Sequence, residues 1–282
     1  MTATDSPTVP TAPARTVIEL ETLLLELRAD GVAGLTVNRP GRANSQTVTM
    51  FHEFTDAALA VRDTGARALI LRGAGDRAFC SGFDLAEVGA IQQMGVREFL
   101  RFQEAATGGL AAIRQLPFPV IAAIHGPAVG GGLALALAAD IRLAAPTAKL
   151  SCAFVRVGLS CGELGTSWQL TRLLGYGRAA ELGFTGRIVG AAEAERIGLV
   201  NRVVPSEDLF AEADALAAAI SGNSPGGVRM SKRALLRNEE ISSYGAALEL
   251  ENRGQALLTC TEDMPEALAA FTEGRASRFT GR

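Results

Sequence analysis

Two glycine segments hold the residue types best suited to chemistry. The first runs Arg77-Ala-Phe-Cys-Ser-Gly-Phe-Asp-Leu85, and the second His125-Gly-Pro-Ala-Val-Gly-Gly-Gly-Leu133. Successive glycines at the start of an apolar helix let the backbone come close to a ligand. They also leave N–H groups without intrahelical acceptors, at the positive end of the helix dipole. Uncharged donors held this way suit a carbonyl oxygen that gains negative charge as an enolate forms. Either segment alone reads better as a tight turn with helix–sheet packing. Neither is a G-x-G-x-x-G dinucleotide fingerprint or a Walker loop. Their occurrence together in one chain is what points to a ligand site.

Other reactive types point to less. Gly158-Leu-Ser-Cys-Gly162 matches the G-x-S-x-G nucleophile elbow. A hydrolase on that elbow needs its histidine after the serine, and both His52 and His125 precede Ser160. Cys80, Cys152, Cys161 and Cys260 show no C-x-x-C spacing, and neither histidine lies beside one. A zinc site and a disulfide framework are therefore not expected, and no metal is assigned. Cys161 reads as an inert small residue and Trp168 as packing. Asp140 reads as a cap at the end of the core helix. His125, ending a buried strand, reads as a hydrogen-bonded structural residue rather than a base.

The elements that must hold these segments follow from periodicity and punctuation. Thr22 to Arg28 and Val32 to Val37 are apolar runs around Ala29-Asp30-Gly31, a hairpin signal. Val48 to Arg62 has helical spacing. Ala68 to Leu71, Val120 to Ile124 and Ile141 to Ala144 read as short buried strands, and Leu133 to Ala139 as a buried helix. Strands alternate with helices to about Leu150, which predicts an α/β domain with mostly parallel strands. From Ser167 onward the pattern is helical apart from a strand at Val200 to Val204. Glu207–Ser221, Pro225–Arg237, Tyr244–Leu258 and Pro265–Glu273 are helix candidates. The predicted division is a disordered tail over residues 1–15, rich in Thr, Pro, Ala and Ser, a core over 16–205 and a helical region over 206–282.

Composition narrows the partners. With 48% apolar and 20% charged residues the chain can bury a substantial core. A net charge of −3 without a basic block argues against nucleic acid. The longest apolar run, Ala128 to Ala139, has 12 residues, too few to span a membrane. No secretory leader is expected, and a reducing cytoplasm is the default location.

Six phrases, in order, resemble the enoyl-CoA hydratase/isomerase (crotonase) family. Val37-Asn-Arg-Pro with Asn44 resembles its N-R-P-x-x-x-N start. Phe79-Cys-Ser-Gly-Phe-Asp-Leu is similar to F-C-A-G-A-D-L, and Gly126-Pro-Ala-Val-Gly-Gly-Gly-Leu to G-x-A-x-G-G-G-x. Ala139-Asp-Ile-Arg-Leu-Ala, Leu182 to Pro205, and Thr261 to Arg282 complete the series. The resemblance implies a spiral of ββα units with a helical C-terminal trimerisation region, assembled as a homotrimer or dimer of trimers. It implies an acyl-CoA thioester as substrate, with coenzyme A part of that substrate and no separate cofactor. The backbone N–H groups of Phe83 and Gly131 would form the oxyanion hole. Arg42 and Ala43 match the segment that meets the CoA phosphate and adenine end. Ser81, Gly82, Asp84 and Gly130 would lie along the same groove.

Two departures bear on mechanism. The resemblance puts hydratase glutamates where this chain has Ala134 and Phe154. Adding water to an enoyl thioester is best served by two carboxylates, so hydration is disfavoured. Phe154 would instead line the substrate site. Glu163, in Val157-Gly-Leu-Ser-Cys-Gly-Glu-Leu-Gly-Thr166, is the remaining acid of that stretch. Some family isomerases place an acid in this loop, which would make Glu163 the proton carrier. It reads equally well as an acid favourable to the dipole of the helix that follows. Val88 to Phe102 either lines the acyl pocket or packs as a helix. Three functions follow: acyl-CoA isomerisation, hydration with unconventional acids, and acyl-CoA binding without catalysis.

Overall fold

Short apolar runs bounded by glycine and proline make a seven-stranded sheet in the computed structural model, which describes residues 15–282. The expected tail over 1–15 lies outside the described residues except for Arg15. Strands β1 (Thr16–Glu19), β2 (Leu23–Leu27) and β3 (Val32–Val37) pair antiparallel in sequence. Helix α1 (Val48–Arg62) starts at Thr47, whose hydroxyl accepts from Met50 N at 3.1 Å. It leads to β4 (Ala68–Gly73), parallel to β3. Helices α2 (Val88–Gln92) and α3 (Val96–Arg114) precede β5 (Val120–Ile124), and β6 (Ala128–Val129) runs into α4 (Gly131–Ala138). Then come β7 (Ile141–Ala144), β8 (Lys149–Ser151), α5 (Thr166–Leu174), α6 (Tyr176–Thr185) and β9 (Val189–Gly190). Helix α7 (Ala191–Ile197), β10 (Arg202–Val203), α8 (Leu209–Ser221), α9 (Pro225–Asn238), α10 (Tyr244–Leu258) and α11 (Asp263–Glu273) complete the order.

The large sheet runs β1-β2-β3-β4-β5-β7-β10, parallel from β3 onward, while β6, β8 and β9 form a small second sheet. Its central strands are buried on both faces, which is why they read as unbroken apolar runs. Leu69, Leu71, Val120, Ala122 and Ile124 point into the core shared with α1, α3 and α4. The alternate residues Ala68, Ile70, Ile121 and Ala123 point the other way, against Leu209, Ala213 and Ala217 of α8. The first helix beyond residue 205 is thus packed on the sheet. The peripheral helices begin with α9. Helix α10 buries no residue, and Tyr244, Leu257, Leu268 and Phe271 of α10 and α11 are exposed. Among the described residues no helix is long and apolar enough to cross a membrane.

Two polar expectations need correction. Asp140 does not cap α4, because the chain leaves that helix in extended conformation at Ala139 and carries Asp140 beside β5. Its carboxylate accepts from Val120 N and from Lys232 Nζ, both at 2.7 Å. The hydrogen bond expected for His125 is absent. Both ring nitrogens are buried without a partner among the described residues, and the ring packs 6.1 Å from Phe210. Trp168 packs as expected, with the Arg172 guanidinium 3.7 Å from its ring centre.

The Lys232 ammonium also donates to Phe118 O at 2.9 Å and is buried, tying α9 to the sheet. Lys232→Met should leave Asp140 with one partner and lower stability by about 3 kcal/mol, the scale of a broken buried pair. Denaturant unfolding checks this as a lower midpoint at unchanged slope. A loss under about 1 kcal/mol would mean the Val120 N–H alone satisfies the carboxylate.

Candidate active site

The site is built by two isolated backbone bridges between loops. Cys80 pairs with Ala128, through Cys80 N to Pro127 O and Val129 N to Cys80 O, each 3.1 Å. Gln46 pairs with Phe83, through Gln46 N to Gly82 O at 2.7 Å and Asp84 N to Gln46 O at 2.8 Å. In a parallel bridge the neighbours of the paired residue make the bonds, so the N–H of Phe83 itself faces the opposite side. It has no acceptor among the described residues.

Gly130 uses its own N–H on Ser151 O at 2.9 Å and its carbonyl on Ala134 N at 3.0 Å. Helix α4 then begins at Gly131, whose N–H has no acceptor among the described residues. Gly82, at φ +95°, brings the two free donors together. A Cβ there would stand 3.5 Å from Gly131 N and 2.6 Å from Val129 O. Gly132 is as tightly placed, since a Cβ on it would meet the Cys80 carbonyl oxygen at 1.9 Å. Two converging, unpartnered N–H groups at a helix start can stabilise an oxygen that is acquiring negative charge.

The walls come from four elements. The Phe83 ring stacks on Phe51 of α1 at 6.2 Å and meets Phe102 of α3 edge-on at 5.7 Å. Phe154 is buried in a 3-10 turn (Ala153–Val157), with its ring 3.8 Å from where a Gly130 Cβ would be. Ala134 is buried one turn into α4 and offers no polar atom. The loop before α5 closes the site, because Leu164, at φ +52°, lies 3.5 Å from the Cβ position of Gly131. Glu163 is its neighbour and is half-buried. Burial pushes the Glu163 carboxyl above the usual glutamate range, and a hydrogen bond from Gln103 of α3 opposes that rise. Glu163 O also accepts from Thr166 N at 2.9 Å, so the residue does start the next helix.

At the outer end, Arg42 is exposed on a 3-10 turn (Pro40–Arg42). Ala43, left-handed at φ +49°, accepts from Ser81 N at 3.1 Å, joining this turn to the first glycine segment. Ser81 is exposed there. Arg42, Ala43, Ser81, Gly82, Phe83, Gly130, Gly131, Phe154 and Glu163 thus come together as one neighbourhood. Asp84 does not face it. Its carboxylate is buried, and Ala86 N–H, the Arg39 guanidinium and the Ser45 hydroxyl hold it below the usual carboxylate range. Sequence reading missed Arg39 and the locking role of Asn44, whose amide donates to Ala74 O and Ala78 O at 2.9 and 2.7 Å. The left-handed pair Ala43-Asn44 after a proline turn was the available signal.

The chain is similar to known proteins over most of its length. The family model described as enoyl-CoA hydratase/isomerase matches residues 28–282. The chain is 40% identical over 264 residues to the probable enoyl-CoA hydratase EchA12 of Mycobacterium tuberculosis, covering 92% of each. The crystal structure of a probable enoyl-CoA hydratase/isomerase from Mycobacterium abscessus superposes with a TM-score of 0.85 at 35% identity, covering 93% of this chain and 100% of that one. That of enoyl-CoA hydratase from Bacillus anthracis gives 0.85 at 33%, covering 95% and 99%. With the match running from just after β2 to the C-terminus and through both glycine segments, the chain belongs to the enoyl-CoA hydratase/isomerase, or crotonase, family.

Proposed function

We propose that the protein isomerises a double bond in an acyl-CoA thioester. The observation that carries this reading is a half-buried carboxyl, Glu163, in the loop whose Leu164 packs against Gly131, together with two free backbone donors and no acid at Ala134 or Phe154. The Phe83 and Gly131 N–H groups would donate to the thioester oxygen and stabilise the negative charge of the enolate. Glu163, ionised, would remove a proton from one carbon of the acyl chain and return it to another. Water is neither consumed nor released, so one carboxylate suffices. Arg42 and Ala43 would meet the phosphate and adenine end of coenzyme A, with Ser81, Gly82 and Gly130 along the groove. The scheme needs no metal and no cofactor beyond the coenzyme A of the substrate. The names of the relatives favour hydration as the second reading. The exposed apolar residues of α10 and α11 support assembly into a trimer or dimer of trimers, and a cytoplasmic location suits the free thiols.

Mass spectrometry of acyl-CoA thioesters incubated with the protein in heavy water tests the central step. Wild type should place deuterium on the acyl chain. Crotonyl-CoA hydration should run about 10²–10⁴-fold slower than this exchange, for want of the second carboxylate. Rapid formation of 3-hydroxybutyryl-CoA would reverse the ranking of the two readings.

Glu163→Gln should slow exchange by about 10²–10⁴-fold with acyl-CoA affinity little changed. The base works only when ionised, so the wild-type rate should fall as pH drops through the Glu163 pKa. Because burial raises that pKa, the acid limb should lie above the usual glutamate range. An unchanged rate in Glu163→Gln would leave Glu163 only its role at the start of α5.

Gly132→Ala tests the donors, because its Cβ would force the Cys80 main chain away and separate Phe83 from Gly131. Exchange should fall by about 10²–10³-fold, the cost of losing one such donor. A folded variant with the wild-type rate would remove the two N–H groups from the mechanism.

A further inference from the structure

Gln46 is fully buried, and it serves both halves of the donor pair. Its main chain makes the bridge that turns the Phe83 N–H outward, through Gly82 O and Asp84 N. Its side chain reaches the other half, where Nε2 donates to Gly131 O at 3.0 Å. A carbonyl oxygen can only accept, so the amide nitrogen must face Gly131 O and the amide orientation is settled. Oε1 then lies against the Gly131 Cα, where a Cβ would stand 2.0 Å from it. That oxygen is buried and has no partner among the described residues. An apolar side chain of the same shape would fill the space without leaving a buried oxygen unsatisfied. What the amide adds is one connection, from the 82–84 segment to the first residue of α4.

We infer that Gln46 is a positioning residue which sets the spacing of the Phe83 and Gly131 N–H groups. The inference rests on the enolate reading above. Phe83 N is held through the backbone of Gln46, and Gly131 N through its side chain. Gly131 must be glycine for the same reason, since any Cβ would expel the amide. Loss of the amide leaves both donors present but no longer held relative to one another. The expected result is weaker polarisation of the thioester carbonyl, not weaker binding of coenzyme A.

Difference infrared spectroscopy of butyryl-CoA, labelled with ¹³C at the thioester carbonyl, reads this polarisation without requiring turnover. On binding wild type, the carbonyl band should move to lower frequency. Gln46→Met should lose most of that movement, with affinity by calorimetry within about threefold of wild type and kcat for deuterium exchange about tenfold lower at similar KM. A purely structural Gln46 would lower thermal stability and leave the band shift intact, which would overturn the inference. If Gln46→Met does not fold, Gln46→Leu, which also lacks a donor, is read by the same criterion. No band shift in wild type would overturn the enolate reading and this inference together. A wild-type shift that survives in the variant overturns this inference alone.

Discussion

The bridge between Cys80 and Ala128 is the contact on which the rest of the site depends. It pins the loop after β4 to the strand that enters α4. Two loops from different crossovers are thereby fixed at hydrogen-bond distance, and their remaining N–H groups are left to face one direction. The close packing of Gly132 on the Cys80 carbonyl allows no side chain between them. Such donors are preorganised by the fold, so they need not reorganise when charge develops on a ligand oxygen.

The scaffold gives that bridge its rigidity. Helix α4 is buried along its whole length, and the strands on either side of it are covered on both faces. Buried polar groups are tied across long sequence distances. Arg142 donates to Leu199 O at 2.9 Å and Ala139 O at 2.7 Å, and burial pushes its guanidinium down to about 10. Arg67 holds Ser221 O and Phe279 O at 2.9 and 2.8 Å, anchoring the C-terminal segment. Helices α10 and α11 also leave Tyr244, Leu257, Leu268 and Phe271 exposed.

The site's electrostatics are mostly those of neutral dipoles. Asp84 is paired with Arg39 at 3.0 Å. Glu163 is the acid left near the free donors, and burial disfavours its charged form. A carboxyl whose pKa is raised is a stronger base than one held strongly ionised by an arginine. Donors of this kind suit the enolate chemistry proposed above, and Ala134 and Phe154 offer no carboxylate to join Glu163.

Much of the fold was legible in the residues. The bounds of β3, β5, β7 and α1 coincide with the expected segments, because buried strands and amphipathic helices write their burial into local order. The glycine segments, with Phe83 and Gly131, were legible because backbone approach demands a residue without a side chain. Strand β1 escaped notice because it is largely exposed, and β6, β8 and β9 because two or three residues carry no period. Asp84 and Asp140 were misread for one reason: their partners Arg39 and Lys232 lie far away in sequence. Gln46 carried no signal at all, since a lone glutamine near a helix start looks like any other. Sequence by itself determined the longer elements, the family and the two glycine segments, because local burial and chain geometry act over a few residues. Only the tertiary structure decided which polar side chains face the site and which are spent holding it, because those partners meet only when distant segments pack.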